Sequence, residues 1–232
     1  MRTYQGRVVE IQMDKAGQVA AWIACPASAI PSAGQYIVAR LRSGCEAALG
    51  THLFPSRITT EGFLAVASIP RTWSPGASLA LTRPLGRGFN PPSSARRLAL
   101  AALGDTPARL MPLAEAALTQ DSAVALFTDA ELPPLPASIE AYPLAALPEA
   151  IPWADFVALD LPIEALPTLA KRLGLADRQA LPCPAQALVV TPMPCAGYAC
   201  CGACAVPSPR LWKMACQDGP VFALNELDWR NA

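Results

Sequence analysis

The residues with the clearest chemical potential are four cysteines in the last part of the sequence. Cys195, Cys201, Cys204 and Cys216 follow the spacing C-x5-C-x2-C-x11-C, and a further thiol, Cys200, stands beside Cys201. Thiolate sulfur binds zinc and iron–sulfur clusters. Three thiols on one loop, together with a fourth that follows a short intervening segment, can surround one metal centre. The spacing therefore predicts a metal site on these four cysteines.

The segment around the cysteines has the small and apolar residues that such a centre needs. Small residues let backbone amides reach the sulfurs, and apolar cover limits water, and both influence a cluster's reduction potential. The small residues are Ala196, Gly197, Ala199, Gly202, Ala203 and Ala205. The candidates for apolar cover are Met193, Val206, Trp212, Met214, Val221 and Phe222.

Three interpretations of the cysteines are open at this point. An iron–sulfur cluster is favoured because the spacing is close to the plant-type ferredoxin pattern C-x4-C-x2-C…C. A structural zinc site is second, because zinc sites often use paired C-x2-C units and only one is clear here. Structural or disulfide-bonded cysteines are third. Cys201 is favoured over Cys200 as a ligand because it forms C-x2-C with Cys204, which leaves Cys200 as a spare thiol.

Composition narrows the class of protein. The chain has 232 residues, of which 53% are hydrophobic and 16% are charged, below the roughly 25% charged residues of ordinary domains. A sizeable core and some apolar contact surface are expected. The 18 basic and 18 acidic residues give zero net charge. No basic block is present, so nucleic acid is not an expected partner.

The sequence predicts a soluble, cytoplasmic protein. The first residues, MRTYQGRVVEIQ, lack the apolar core of a signal peptide. The uncharged stretch 179–209 is long enough to cross a bilayer but is interrupted by six prolines, so no membrane association is expected. Without a secretion signal, metal ligation is favoured over a disulfide framework. Cys25, Cys45 and Cys183 are expected to be small buried apolar residues.

The pattern of elements predicts a mixed β and α/β fold with three parts. Residues 1–92 contain short strands separated by Gly and Pro, which indicates a small antiparallel β-barrel. Residues 93–190 alternate apolar strands with helices at about 107–118 and 163–173, which indicates a central doubly wound parallel sheet. The proline-rich stretch 131–152 is expected to be mostly loop. Residues 191–232 form a small cysteine-rich cluster-binding module.

Three sequence segments then resemble a known family, the iron–sulfur electron-transfer subunit of heterodimeric dihydroorotate dehydrogenases. That family has a cysteine followed by Asp-Gly-Pro-Val-Phe, which stands here at 216–222 as CQDGPVF. Residues 33–36 (AGQY) and 84–89 (PLGRGF) resemble two turns of its barrel. The order of barrel, α/β domain and cluster module is also similar to that of ferredoxin reductases.

The resemblance implies a [2Fe–2S] cluster on Cys195, Cys201, Cys204 and Cys216 that relays electrons to or from a flavin-containing catalytic subunit. That partner would be a dihydroorotate-dehydrogenase-like protein of pyrimidine biosynthesis. An alternative is an NAD(P)H reductase with its own FAD. A second alternative is a non-redox interaction protein stabilised by zinc.

Two cofactor elements of the family are poorly matched in this sequence. Phe54, within 53–57 (LFPSR), stands where a flavin-binding arginine is expected, although Ser56 and Arg57 follow it. The expected nucleotide turn, 102–107 (ALGDTP), has one glycine, and its Asp105 would repel a pyrophosphate. FAD therefore stays open, and NAD(P) binding in the usual mode is not expected.

Other catalytic chemistry is sparse. His52 is the single histidine, and no nucleophile motif accompanies it, so a structural role is the simpler interpretation. Asp155, Asp160 and Glu164 form no evident acid–base pattern, and Asp160 is expected to cap a helix.

Overall fold

The structure is a computed structural model that describes residues 3–13, 19–42, 49–66, 69–132, 135–175 and 181–228. Cys45 lies outside these ranges. The strands are β1 (Thr3–Met13), β2 (Val19–Ala24), β3 (Ile37–Leu41), β4 (Thr51–Ile58), β5 (Gly62–Val66), β6 (Ser78–Thr82), β7 (Arg97–Ala102), β8 (Ala123–Thr128), β9 (Ile139–Tyr142), β10 (Phe156–Pro162), β11 (Ala185–Val190), β12 (Ala205–Val206), β13 (Lys213–Met214) and β14 (Val221–Ala223). The α-helices are α1 (Met111–Leu118), α2 (Leu147–Ala150), α3 (Leu169–Arg172) and α4 (Ala215–Asp218). The 3-10 helices are Ala27–Ala29, Ala108–Leu110, Leu144–Ala146, Ile163–Thr168 and Leu224–Glu226.

Strands β1 to β6 close into an antiparallel barrel in the order β1-β2-β5-β4-β3-β6. Alternate side chains of the strands point inward, as the twofold strand period requires. Val8, Ile23, Phe63 and Leu81 are fully buried in the barrel core. The antiparallel barrel expected from the sequence is confirmed, and closure leaves no unpaired sheet edge there.

Strands β7 to β11 form a parallel sheet in the order β11-β10-β7-β8-β9. Leu98 and Leu100 pack with α1 in one core cluster, whereas the intervening Ala99 and Ala101 face a second cluster that includes Leu147 of α2. Both faces of the sheet are therefore covered, and this burial explains the nearly continuous apolar runs of its strands. The doubly wound arrangement is confirmed.

The cysteine-containing tail joins the edge of this sheet. Strand β14 pairs antiparallel with β11, and β12 and β13 form a small separate hairpin between them along the chain. Tyr36, Val38 and Phe54 of the barrel region lie in the same core cluster as the sheet and as Cys204 and Cys216. Barrel, sheet and tail consequently share one core at the site.

Some boundaries differ from those that the sequence predicts. The stretch 131–152, expected to be a loop with a short helix at best, contains the strand β9 in addition to the short helix α2. The helix predicted over 163–173 is a 3-10 helix as far as Thr168 and becomes α-helical at Leu169, because Pro167 has no amide hydrogen to donate. The helix predicted at 107–118 likewise begins as the 3-10 turn Ala108–Leu110.

Candidate metal centre

Two loops and a hairpin carry the cysteines to one end of the tail. Cys195, Cys200 and Cys201 follow β11, Cys204 directly precedes β12, and Cys216 lies in α4 just after β13. Pairing of β12 with β13 closes the hairpin, and the Ala215 amide donates to the Cys204 carbonyl at 2.9 Å. The eleven residues between Cys204 and Cys216 are therefore folded back on themselves, which brings these two cysteines together.

The four predicted ligand thiols form a continuous set of contacts. The sulfurs of Cys195 and Cys216 lie 3.8 Å apart, and the Cys216 amide donates to the Cys204 sulfur at 3.5 Å. Cys201 hydrogen-bonds Cys195 through its side chain. Tetrahedral coordination with metal–sulfur bonds of roughly 2.3 Å sets neighbouring sulfurs about 3.8 Å apart. The Cys195–Cys216 pair already has that spacing.

Across the described residues, no group of three or more His, Cys, Asp or Glu side chains is already gathered as the ligands of a metal ion. The donor set nonetheless fits a thiolate-bound centre, because the four cysteines form a spatial series of contacts. Cys201 contacts Cys195, Cys195 contacts Cys216, and Cys216 contacts Cys204. Ligand assignment to individual cysteines stays a prediction.

Cys200 has a different relation to the group. Its side chain is exposed, and its backbone amide hydrogen-bonds the Cys195 sulfur, as does the amide of Ala199. Ala196 and Ala199 have positive φ angles of 52° and 54°, and Gly197 lies between them with a φ of 89°. Such left-handed turns point successive amides toward one anion. The loop is thus shaped to donate hydrogen bonds to a thiolate.

These contacts shift the pKa values of two neighbouring thiols in opposite directions. Burial acts to raise the pKa of Cys195, but hydrogen bonds from the Cys200 amide and the Cys201 and Cys216 thiols lower that pKa to about 6. Burial and then the hydrogen bond with Cys204 raise the pKa of Cys216 to about 12. The hydrogen-bond donors thus favour the thiolate form of Cys195, whereas burial favours the neutral thiol of Cys216. A bound cation replaces such protons.

The site is covered on one side and open on the other. Cys204 and Cys216 are buried, together with Met193 and Val206 of the expected apolar cover. Val221 and Phe222 are buried as well, whereas Trp212 is 64% exposed. Tyr198 and Leu211 of the same segment are also exposed, with relative exposures of 67% and 62%. The segment therefore combines two buried cysteines with several large exposed apolar side chains.

The three segments that carry the family resemblance meet beneath the cysteines. A Cβ atom at Gly34 would lie 2.5 Å from Val221, and one at Gly86 would lie 2.5 Å from the Gly219 carbonyl oxygen. Both glycines also have positive φ angles, of 83° and 71°. The side-chain amide of Gln35 donates to the Gly86 carbonyl at 3.1 Å. Glycine is required at both positions because the tail lies so close to them. The two barrel turns therefore support the tail by direct contact.

Asp218 of the tail motif has a local structural role. Its carboxylate accepts a hydrogen bond from the Met214 amide at 2.8 Å, which closes the turn that contains Cys216. Gly219 then packs on the Phe222 ring so closely that a Cβ atom would lie 2.4 Å from it. The residues after Cys216 thus fix the direction in which its segment leaves the hairpin.

The residues at the expected flavin strand do not fit the family's flavin-binding pattern. Phe54 is 5% exposed and packs against Tyr36 with ring centroids 5.7 Å apart. Strand β4 lies directly against α1 and the 3-10 turn before it. Arg57 pairs with Glu115 of α1 at 3.8 Å. The strand thus contacts protein at the position where the resemblance predicts a flavin-binding arginine.

The expected nucleotide turn is also unsuited to a pyrophosphate. A cavity of about 360 Å3 beside Gly104 is lined by Asp105, Asp129, Glu131 and Arg172 among others. Three carboxylates against one guanidinium repel phosphate. Arg109, in the 3-10 helix that follows this turn, is bound to Asp160, with guanidinium–carboxylate distances of 2.9 to 3.2 Å. No anion-binding arrangement results from these residues.

The remaining polar candidates have structural contacts. Asp160 is fully buried and binds Arg109 instead of capping a helix; burial raises its pKa, and the arginine opposes that rise. Asp155 binds Arg97 at 2.7 Å. The His52 ring lies 5.5 Å from Tyr36 and hydrogen-bonds the Met193 backbone, while burial lowers its pKa.

Sequence reasoning missed one contribution to the site. The Tyr36 hydroxyl donates to the Cys216 carbonyl at 3.0 Å across 180 positions of sequence. The Arg109–Asp160 ion pair, which belongs to the sheet domain, was not anticipated either. The resemblance at residues 33–36 was the one available signal for Tyr36, and it did not reveal the contact.

In the described parts of the chain, no helix has the length and apolar character needed to span a membrane.

Comparison with known proteins agrees with this geometry. Residues 192–228 match the family described as the iron–sulfur cluster binding domain of dihydroorotate dehydrogenase B. No curated protein gives a significant match to the chain.

The solved structures similar to this chain have low sequence identity to it. An NADH-dependent reduced ferredoxin-NADP oxidoreductase has a TM-score of 0.72 at 18% identity, over 97% of this chain and 90% of that one. The ferredoxin reductase of carbazole 1,9a-dioxygenase has a TM-score of 0.59 at 16% identity, over 75% of this chain and 67% of that one. The flavohem-like FAD/NAD binding domain of a nitric oxide dioxygenase from Vibrio cholerae has a TM-score of 0.52 at 16% identity, over 82% and 99%. These similarities establish a ferredoxin-reductase-like fold.

The fold and the family match together confirm the resemblance found in the sequence. Residues 192–228 are similar to the iron–sulfur cluster binding domain of dihydroorotate dehydrogenase B, and the chain that carries them has a ferredoxin-reductase-like fold.

Proposed function

We propose that this chain is an electron-transfer subunit whose Cys195, Cys201, Cys204 and Cys216 hold a [2Fe–2S] cluster. It would relay electrons to or from a flavin-containing catalytic subunit resembling dihydroorotate dehydrogenase. A role in pyrimidine biosynthesis and a cytoplasmic location belong to the same proposal. The observation that supports it most directly is the contact among these four thiols inside the matched cluster-binding segment.

Each part of the site has a role in this proposal. The four thiolates hold the cluster, which when bound accepts and donates single electrons. The amides of Ala199 and Cys200 donate to the Cys195 sulfur, which stabilises negative charge on that ligand. Buried Met193 and Val206 keep water from the inner side. These residues bind and tune a redox centre and perform no acid–base step.

The outer side is suited to a partner protein. Tyr198, Leu211 and Trp212 are large apolar residues that are each more than 60% exposed, and they belong to the segment that holds the cysteines. Exposed apolar clusters of this kind mark interaction surfaces. We assign these three residues, as the cluster-side patch, to the contact with the catalytic subunit.

Cysteine substitution tests the ligand set. We expect the wild-type protein, purified without oxygen, to contain two iron and two sulfide per chain and to show the visible and electron paramagnetic resonance spectra of a [2Fe–2S] cluster. Cys201→Ser should lose the cluster or change these spectra, because it removes a proposed ligand. Cys200→Ser is the matched control and should keep wild-type iron content, because its contribution is a backbone amide.

A loss of iron in Cys200→Ser, with Cys201→Ser unaffected, would reverse the ligand assignment. A colourless wild-type protein containing zinc would instead support the zinc-stabilised interaction protein and reject electron transfer.

An FAD-dependent NAD(P)H reductase is the second candidate, because the similar structures include flavin-binding reductase domains. Buried Phe54 and the acidic nucleotide turn argue against it. FAD released on denaturation, together with NAD(P)H oxidation by the isolated chain, would favour this candidate over a relay subunit.

A further inference from the structure

The Tyr36 side chain connects the barrel to the cysteine segment. It is fully buried, and its hydroxyl donates a hydrogen bond to the Cys216 carbonyl oxygen at 3.0 Å. Cys216 follows the β12–β13 hairpin and contacts Cys195 and Cys204. A side chain from the first part of the chain therefore holds the backbone of the last proposed ligand.

The same hydroxyl lies beside the loop after Cys195. A Cβ atom at Gly197 would be in ordinary van der Waals contact with the Tyr36 oxygen, at 3.5 Å, and with the Cys216 carbonyl oxygen, at 3.7 Å. The phenol therefore lies between the two arms of the cysteine segment.

The position of Tyr36 is itself fixed by the barrel. Its backbone exchanges hydrogen bonds with Leu85 at 2.8 and 3.2 Å. Its ring packs against His52 and Phe54 at 5.5 and 5.7 Å between centroids. His52 in turn hydrogen-bonds the backbone of Met193, two residues before Cys195. The barrel thus contacts both arms through side chains with little freedom to move.

We propose that Tyr36 is a positioning residue for the iron–sulfur cluster, which fixes the Cys216 ligand through its carbonyl group and places an O–H donor beside the ligand backbone. This inference rests on the proposed cluster function. A donor near the ligands stabilises the more negative, reduced state, because hydrogen bonds and local dipoles set cluster potentials. The barrel would then act as the support and tuning element of the redox centre.

The variant Tyr36→Phe tests this proposal in the full chain. Phenylalanine keeps the packed ring and removes only the hydroxyl. We expect normal iron content, a lower midpoint potential, and iron release to a chelator about fivefold faster, the factor that one ordinary net hydrogen bond supplies. Tyr142→Phe is the matched control, because its hydroxyl binds Glu140 on β9, at the sheet edge opposite β14.

Unchanged potential and unchanged iron release in Tyr36→Phe would overturn the proposal. A wild-type protein without iron would instead refute the cluster function on which it rests, so the two failures are distinct. If Tyr36→Phe does not fold, site-specific 3-fluorotyrosine at position 36 replaces it. Its more acidic hydroxyl is a stronger donor and should raise the potential, and a fall would contradict the proposal.

Discussion

At the scale of single residues, the cysteines differ more in their surroundings than in their type. Cys195 accepts hydrogen bonds from two backbone amides, whereas Cys216 is buried and bonded to Cys204. Amide donors favour the thiolate, and burial favours the neutral thiol. Two sulfurs 3.8 Å apart consequently have pKa values on opposite sides of neutrality.

This difference predicts the order of alkylation in metal-free protein. With iodoacetamide at pH 7, Cys195 should be modified and Cys216 should not, because the thiolate is the reactive form. Lowering the pH from 7 to 5 crosses the Cys195 pKa of about 6 and should slow its alkylation about tenfold. Peptide mass spectrometry gives the site of modification. Cys25, whose pKa burial raises to about 11, is the unreactive control.

Preferential alkylation of Cys216, or a Cys195 rate that does not change between pH 5 and 7, would contradict the described hydrogen bonding. Bound metal should protect Cys195, since the metal and the alkylating reagent compete for one sulfur.

At the scale of elements, the barrel turns determine where the tail can lie. The turn at Gly86 approaches Gly219 and Pro220 so closely that a Cβ atom would lie 2.5 Å from an atom of each. Arg87 donates its amide to the Gly219 carbonyl in the same contact. The cysteine segment is therefore held by backbone contact with the barrel as well as by the pairing of β14 with β11.

Substitution of Gly86 by alanine should weaken this attachment. The positive φ of 71° alone costs about 1–2 kcal/mol, and the collision with the tail should add about 1–3 kcal/mol. Gly76→Ala is the control, because Gly76 also has a positive φ, of 92°, but its nearest neighbour to an added Cβ is 3.8 Å away. Denaturant unfolding measures both variants. Equal losses of stability would show that close contact with the tail contributes nothing.

The sequence predicted the order of barrel, sheet and cysteine module because each has a distinct periodicity or spacing. It also identified residues 33–36, 84–89 and 216–222 as related to one family, but not that they touch. Contacts such as Tyr36–Cys216 depend on how separate elements pack, and local patterns carry no information about that. The edge strand β9 was missed because its surroundings are rich in proline, and a four-residue strand has almost no periodic signal.

At the scale of the whole molecule, the cysteine site has an inner and an outer side. The inner side contacts the core that barrel and sheet share, and the outer side carries the cluster-side patch of Tyr198, Leu211 and Trp212. A one-electron relay needs its centre near a partner, yet protected from water. The asymmetric burial of the cysteines is consistent with both needs.

Weakening the cluster-side patch should reduce partner binding without removing the cluster. Leu211→Ser should lower the affinity for the flavin-containing subunit by about tenfold, the size of a moderate interface contribution. Leu49→Ser is the control, because Leu49 is similarly exposed, at 58%, but belongs to the barrel. Binding measured by calorimetry, with iron content determined in parallel, checks this. An equal effect of the two substitutions would mean that the patch is not the docking surface.

The contact of the tail with the barrel turns at Gly34 and Gly86 has a consequence for how the protein is made in the cell. The cysteines follow the barrel and sheet in chain order, so ribosomal synthesis delivers them after the surface that receives them. The turns at Gly34 and Gly86 can be in place before Cys216 emerges. Iron loading would then succeed only on a chain whose earlier parts have folded, and the colour of the purified protein would serve as a report of correct assembly.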